Sequence, residues 1–255
     1  MTTILSTNSL SRHFGGVRAV NDVTISIQDK TVKAVIGPNG AGKTTLFNTI
    51  TGRLPATSGM VVFHGKDITR MPIHERVRLG ICRTFQINSL FLGATVFENV
   101  RIAKQVRMGK SHMVFSRREV LAEVNDATYE ILEKVGLADK AKESAKTLSY
   151  GDQRSLEVAI ALAGDPKILL LDEPTAGMSQ METNQIIRLI EKLVEDIAVV
   201  LVEHDVDMVL SISDSISVMH QGCLIGEGTP DEIRKNKRVR EAYLGEEDGR
   251  EDTGT

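Results

Sequence analysis

The segment from Gly37 to Thr44 constrains this chain more than any other. It reads GPNGAGKT and matches the pattern G-x-x-x-x-G-K-[ST]. The β-like run from Thr31 to Ile36 precedes it, and the run from Thr44 to Thr51 predicts a helix. Glycines let the backbone approach a phosphate, and the N–H groups of the helix start point at it. We therefore expect a strand, a phosphate-binding loop and a helix, as in α/β proteins.

Two side chains at the end of this loop suit a nucleoside triphosphate. Lys43 supplies a mobile positive charge for the β- and γ-phosphates, and Thr44 supplies a hydroxyl for Mg²⁺. The alternative is a plain glycine-rich turn, which the flanking strand and helix disfavour. The candidate nucleotide-binding residues of the loop are Gly37, Pro38, Asn39, Gly40, Ala41, Gly42, Lys43, Thr44 and Thr45.

A pair of carboxylates follows a short apolar run. Ile168 to Leu171 predicts a buried strand, and Asp172 and Glu173 come directly after it. Ligands gather at the C-terminal ends of parallel strands. Asp172 can hold Mg²⁺, usually through water, and Glu173 can act as the general base toward an attacking water. The alternative is a strand that ends in two solvated acids.

The composition fits a sheet covered by helices. Of the 255 residues, 41% are hydrophobic but only 4% are aromatic, so the core depends on aliphatic side chains. Ile197 to Val202 predicts another buried strand, and Ile216 to Gly228 predicts a hairpin. The patterns Ser179/Glu182 and Thr229-Pro230 predict helix starts.

Charge and hydropathy exclude several protein classes. The net charge of −3 argues against a nucleic-acid footprint, and no run of 18 apolar residues predicts a membrane span. Met1 to Leu10 has neither a basic start nor an apolar core, so we expect no secretory signal. Cys82 and Cys223 lie far apart and suggest a reduced, cytosolic chain.

Leu148 to Arg154 reads LSYGDQR and precedes a helix, Asp165-Pro166 and the acidic strand. This order resembles the ATP-binding-cassette (ABC) ATPases, whose signature is L-S-G-G-Q. Ser149 and Asp152 also form a helix-capping pattern, and both interpretations can hold together. The resemblance implies a P-loop NTPase core (1–86 and 165–230) with an N-terminal antiparallel β part. It also implies an inserted α-helical subdomain (87–164) and a C-terminal helix and tail (231–255).

The resemblance adds three site residues. Phe14 looks like the aromatic that stacks on adenine, although a lone Phe is more often core. Gln86 resembles the glutamine that touches Mg²⁺ and links to membrane subunits, and His204 resembles the histidine that contacts the γ-phosphate. The implied catalytic residues are Glu173, His204, Lys43 and Gln86. The implied ligands are ATP and Mg²⁺, the latter on Thr44, Gln86 and Asp172.

In this family two ATPase subunits close head to tail. Ser149, Tyr150, Gly151 and Asp152 would then bind, in trans, the ATP held by the partner's phosphate loop. Tyr150 and Asp152 depart from the general signature, and the loop from Thr175 to Met178 lacks the Asp of the usual S-A-L-D sequence. Similar departures are found in the ATPases of branched-chain amino-acid importers, as are the opening RHFGGVRAV and the close AYLGE.

The resemblance implies an importer subunit at the cytoplasmic face of the inner membrane. Its partners would be two membrane-spanning permease subunits, a second and similar or identical ATPase, and indirectly a solute-binding protein, with no nucleic acid. The docking cleft is expected near Gln86 to Asn99, where Ile87, Leu90, Phe91 and Leu92 cluster, unless these are local core.

Three alternatives remain. An ATPase for another solute, such as urea or a lipid, would share these motifs. A non-transport cassette ATPase acting on DNA or ribosomes is disfavoured by the single phosphate loop and the absence of a long coiled-coil insertion. A small-molecule kinase would have no use for the signature helix.

Overall fold

The computed structural model describes residues 2–84, 90–109 and 118–244. Gln86, Ile87 and the tail beyond Leu244 lie outside the described residues. The chain forms two compact units, Met1–Ile73 with Ala198–Thr255, and His74–Ile197. The expected subdomain boundaries at residues 87 and 164 stay a prediction.

The described strands range from 2 to 12 residues in length. The described residues contain β1 (Thr3–Phe14), β2 (Val17–Gln28), β3 (Val32–Ile36), β4 (Ser58–Phe63), β5 (Lys66–Asp67), β6 (Ile81–Arg83), β7 (Ile168–Asp172), β8 (Ala198–Val202), β9 (Ser215–His220) and β10 (Cys223–Gly228).

The helices lie between the strands and after the last one. They are α1 (Lys43–Ile50), α2 (Ile73–Leu79), α3 (Val96–Arg107), α4 (Arg118–Lys134), α5 (Tyr150–Leu162), α6 (Gln180–Val194), α7 (Val206–Ile212), α8 (Pro230–Lys235) and α9 (Lys237–Val239). Short 3₁₀ turns cover Ala138–Lys140 and Ala145–Thr147, and a π-helical turn covers Arg240–Leu244.

The first unit contains an antiparallel sheet in the order β2-β1-β4-β5. Its second sheet places β3 between β8 and β9, parallel to both, with β10 antiparallel to β9. All residues of β3 and β8 are buried, as expected for central strands of a parallel sheet. β8 is continuously apolar, and the one charged residue of β3, Lys33, is paired with Glu227. The hairpin predicted over Ile216 to Gly228 is confirmed as β9 and β10.

In the second unit β6 pairs with β7 in parallel, and helices precede and follow both strands along the chain. The predicted start of α6 is confirmed, because Ser179 and Glu182 form a reciprocal capping box. Thr229 and Glu232 form another at α8 in the first unit, with Pro230 at the first helical position. In the described part of the chain, no helix has the length and apolarity needed to cross a bilayer.

The α/β class expected from the sequence is confirmed. One unit carries the antiparallel sheet and the strands that precede Gly37 and His204. The other carries the strand that ends at Asp172 and the helix that begins after Ser149. The fold thus divides the candidate site residues into two groups.

Candidate functional site

The loop after β3 is shaped by two glycines that cannot be replaced without a clash. Gly37 and Gly42 have φ angles of 153° and 101°. A Cβ on Gly37 would lie 2.1 Å from the carbonyl oxygen of Met219, and one on Gly42 would lie 2.1 Å from that of Ala19. Only glycine allows the backbone to turn this closely against its neighbours. The close turn leads the chain from β3 into α1.

Lys43 lies inside this turn and is buried. Its Nζ donates to the carbonyl oxygens of Gly37 at 2.6 Å and Pro38 at 3.0 Å. An ammonium group takes part readily in such contacts because it has three donors. The loop backbone therefore holds the positive charge at the point where the strand meets the helix.

The N-terminus of α1 carries no side-chain cap. Gly42 is its N-cap residue, makes no side-chain hydrogen bond, and no acidic residue occupies the first turn. Asn39, Gly40 and Thr44 are exposed at this end. The first N–H groups of a helix need acceptors, and the helix dipole favours an anion there. This end can receive a phosphate without displacing a side-chain cap of α1.

Phe14 ends β1 and is 44% exposed. The guanidinium carbon of Arg12 lies 4.5 Å from the centroid of its ring, and Arg12 Nη1 donates to the carbonyl oxygen of Pro55 at 3.1 Å. Arg12 therefore supports the aromatic ring from one side. Arg12 was not among the predicted site residues, although its place two residues before Phe14 on a strand puts both on one face.

His204 follows β8 as Gly37 follows β3. The two strands are parallel neighbours, with Val35 opposite Val202, so both residues come two positions after a registered pair. His204 is exposed, and its N–H donates to the buried Glu203 carboxylate at 2.9 Å. The first unit thus places the phosphate loop and His204 at the same edge of one sheet.

Asp172 ends β7 and is 2% exposed. Arg83 Nη2 donates to Asp172 Oδ2 at 2.5 Å, and this buried ion pair links the ends of β6 and β7. The other oxygen, Oδ1, is buried and has no hydrogen-bond partner among the described residues. Arg83 was not predicted as a site residue, since a lone Arg on a three-residue strand carries no pattern.

Glu173 has a φ of 49°, in the left-handed region. That conformation costs a residue with a Cβ about 1–2 kcal/mol. Such strain is concentrated at functional sites. After it, backbone turns link Glu173 to Ala176 and Thr175 to Met178 and lead the chain into α6.

Ser149 is the N-cap of α5, as its sequence pattern predicts. Its Oγ accepts from the N–H of Asp152 at 3.2 Å and donates to Asp152 Oδ2 at 2.8 Å. Lys140 Nζ is 2.5 Å from the same carboxylate oxygen. The polar side chains at this helix end therefore satisfy one another.

Tyr150 and Gly151 differ in exposure. Tyr150 is 45% exposed, and its hydroxyl accepts from Arg154 Nη2 at 3.1 Å. Gly151 is buried, and its N–H donates to Glu182 Oε1 at 3.0 Å. Glu182 was predicted only as a capping residue of α6, and its contact with α5 requires the tertiary fold.

The structure divides the predicted residues between the two units. The first unit holds the phosphate loop, Phe14 and His204, and the second holds Asp172, Glu173 and the Ser149–Asp152 segment. Gln86 lies outside the described residues. In the expected docking segment, Phe91 and Leu92 are 58% and 43% exposed, and Leu90 is half-buried.

Residues 20–176 match the family described as ABC transporter, and residues 223–249 match branched-chain amino acid ATP-binding cassette transporter. The chain is 42% identical over 252 residues to the high-affinity branched-chain amino acid transport ATP-binding protein BraF of Pseudomonas aeruginosa, covering 95% of this chain and 98% of BraF.

It is 40% identical over 250 residues to LivG of Escherichia coli, a protein of the same description, covering 95% and 98% of the two chains. A solved structure of the ADP conformation of an ATP-binding cassette of an ABC transporter superposes with a TM-score of 0.86. That pair is 32% identical over 96% of this chain and 100% of the other.

Proposed function

Because this chain belongs to the ABC transporter family of ATP-binding proteins, we propose that it hydrolyses ATP to drive an importer of branched-chain amino acids. The observation that supports ATP binding is the uncapped N-terminus of α1, which follows a loop whose turn requires glycine at positions 37 and 42. The end-to-end similarity to BraF and LivG supports the solute class.

The phosphate loop is assigned to the triphosphate. N–H groups from Gly40 to Thr45 provide donors, and Lys43 exchanges its carbonyl contacts for the β- and γ-phosphates. Phe14, supported by Arg12, stacks on the base, and His204 contacts the γ-phosphate. Glu173 orients and deprotonates the attacking water, and the strained backbone fixes the direction of its side chain.

We assign Mg²⁺ to the residues that the sequence predicted for it. Asp172 Oδ1 is a buried oxygen with no protein partner in the described chain, and such an atom suits a hydrated cation. Thr44 offers an exposed hydroxyl at the start of α1. When bound, Mg²⁺ neutralises the developing charge on the phosphates. Gln86 is the third proposed contact.

Two ATPase subunits are proposed to close around the nucleotides, with Ser149 and Gly151 of one facing the phosphates held by the other. The second subunit is a copy of this chain or a paralogue. The pair would associate with two permease subunits at the cytoplasmic face of the membrane and respond to a solute-binding protein through them. Closure depends on contacts that only the γ-phosphate supplies.

Phe91 and Leu92 are the proposed permease contact, because both side chains are exposed although apolar. Phe91→Asp should abolish co-purification with the permease subunits and spare the ATPase activity of the isolated chain. Met60→Asp, at an exposed residue of β4, is the matched control. Normal assembly of the Phe91 variant would contradict the assignment.

Glu173→Gln tests the catalytic proposal. It should bind ATP normally, hydrolyse it at least about 100-fold more slowly, and accumulate an ATP-bound dimer detected by light scattering.

Lys43→Ala should weaken ATP binding about tenfold or more, with Lys66→Ala as control. Normal turnover in the Glu173 variant, or unchanged ATP affinity in the Lys43 variant, would overturn these roles.

A further inference from the structure

One carboxylate serves the N-termini of two helices in the second unit. Glu182 Oε2 accepts from the N–H of Ser179 at 2.9 Å and from its hydroxyl at 2.7 Å, which completes the capping box of α6. Glu182 Oε1 accepts from the N–H of Gly151 in the first turn of α5 at 3.0 Å. The two contacts use different oxygens, so the second can break while the first remains.

The approach of Glu182 to α5 is close. A Cβ on Gly151 would lie 2.9 Å from Glu182 Cγ and 3.2 Å from Oε1, so the absence of a side chain at Gly151 makes room for this carboxylate. Hydrogen bonds from Ser179 and then Gly151 lower the pKa of Glu182. The carboxylate is therefore negatively charged at neutral pH and lies on the N–H of Gly151.

The other capping boxes lack this second function. Glu98 accepts from the N–H and hydroxyl of Thr95, and Glu232 accepts from the N–H of Thr229. In the part of the chain that the structure describes, neither carboxylate accepts from the first turn of another helix. Capping alone therefore does not require the contact between Glu182 and Gly151.

We propose that Glu182 is an internal ligand of Gly151 that the γ-phosphate on the partner subunit must displace before the dimer closes. This inference rests on the proposed function, which places Gly151 against that phosphate. A backbone N–H makes one well-aligned hydrogen bond, and two anions on one donor repel each other. Glu182 Oε1 must leave Gly151 as the phosphate arrives.

The displacement couples the nucleotide to the loop that follows Glu173. Glu182 remains bonded to Ser179, which stands directly after the loop from Thr175 to Met178. When the N–H of Gly151 changes its acceptor from the Glu182 carboxylate to the phosphate, the hydrogen bond that joins α5 to the start of α6 is therefore lost. Release of phosphate after hydrolysis lets Glu182 return and favours the open state.

Glu182→Gln in the Glu173→Gln background tests the displacement in the full-length chain. The amide keeps the size of the side chain but removes the charge that competes with phosphate. We expect half-maximal dimerisation, followed by light scattering, at an ATP concentration about fivefold lower or more. Glu232→Gln removes the same charge from a capping box in the first unit and should leave the ATP requirement unchanged.

A second measurement reports on the contact in the monomer. The backbone amide resonance of Gly151 should shift with the protonation of a carboxyl below its ordinary pKa, and Glu182→Gln should abolish that shift. An ATP requirement that is unchanged or raised by Glu182→Gln, with dimers still forming, overturns the inference but leaves the proposed function intact. Failure of the Glu173 variant to dimerise at saturating ATP contradicts the closure mechanism itself.

Discussion

The N-termini of α1 and α5 are both assigned to phosphate, yet they differ in what already covers them. At α1 the N-cap residue is Gly42, and no side chain of the helix satisfies the first N–H groups. At α5 the N-cap Ser149 bonds Asp152, and Glu182 bonds Gly151. The first end is open, and the second is already satisfied by side chains of its own unit.

An open helix N-terminus and a satisfied one bind an anion in different ways, although both have the same helix dipole. An open end binds its anion strongly because no side-chain acceptor has to leave the first N–H groups of the helix, and its structural cost lies in the glycine turn that precedes it. A satisfied end binds an anion only by exchange, so its affinity is lower and can be switched. The first design suits a site that holds nucleotide throughout the cycle, and the second suits a contact that forms and breaks.

The buried charges of Lys43 and Asp172 also differ in the partners that already contact them. Lys43 contacts the neutral carbonyl oxygens of Gly37 and Pro38, which a phosphate can outcompete. Asp172 contacts the full charge of Arg83 across two buried strand ends. The ammonium group of Lys43 in the first unit is thus available to a ligand, whereas the Asp172 carboxylate in the second unit stays paired with Arg83 through Oδ2.

The largest expected effect tests the open end. Gly42→Ala forces a Cβ onto the carbonyl oxygen of Ala19 in a left-handed conformation. It should lower the free energy of unfolding by about 4 kcal/mol and abolish ATP binding. Urea unfolding and nucleotide titration measure the two losses.

Gly151→Ala is the matched substitution at the satisfied end. There the obstacle is the flexible side chain of Glu182, and φ at this helical residue is not positive. Stability should change by less than about 1 kcal/mol, since helix propensity offsets the close contact. Equal losses in the two variants would break the comparison.

Arg83→Gln tests the paired anion. It leaves the Asp172 carboxylate buried without its cation, and the free energy of unfolding should fall by about 3 kcal/mol or more. Urea unfolding of Arg83→Gln, Asp172→Asn and the double variant gives the coupling. If the two single losses simply add, the residues do not act as a pair.

Ser149→Ala removes the side-chain cap of α5 and should cost about 1 kcal/mol of stability. The loss should be visible as a lower unfolding midpoint even without nucleotide, because the cap acts within the monomer. Thr45→Ala in the first turn of α1 is the comparison, since α1 has no side-chain cap to lose. A smaller loss for Ser149→Ala than for Thr45→Ala would contradict this account.

The smallest expected effect is a pH dependence. Hydrogen bonds from Thr95 lower the pKa of Glu98, and those from Ser179 and Gly151 lower that of Glu182, both from the ordinary value of 4.5. A carboxyl group whose pKa is lowered in the folded state stabilises the fold at pH values above its ordinary pKa. That stabilisation is lost as the pH falls through the lowered pKa. As the pH is lowered below about 4.5, the thermal midpoint should decrease less steeply in the variant Glu98→Gln/Glu182→Gln than in the unmodified protein. Parallel pH profiles for the two proteins would contradict the assignment.

Local patterns predicted the elements that hold the site. The glycine-rich loop, the apolar strands before Asp172 and His204, and the caps at Ser149 and Ser179 all depend on neighbours within a few residues. Interactions at such short range follow from residue type and spacing, so the sequence is sufficient for them. The family resemblance then supplied roles that spacing alone could not.

The missed partners are distant in sequence. Arg83 lies 89 positions from Asp172, and Gly151 lies 31 from Glu182. No periodicity or cap joins such pairs, because their meeting depends on strand order and helix packing. Arg12 was missed for another reason, since a single Arg before Phe14 has no distinctive pattern.

The sequence by itself determined that this chain has a phosphate loop, an acidic strand end and a signature helix, since each is a local motif whose backbone geometry follows from its residues. Only the tertiary structure decided which of these groups are already occupied. Lys43 lies on carbonyl oxygens, Asp172 on a guanidinium and Gly151 on a carboxylate. The partners of Lys43 belong to its own loop, whereas those of Asp172 and Gly151 lie 89 and 31 positions away and are brought there by the fold. Occupancy decides whether a site receives its ligand directly or by exchange.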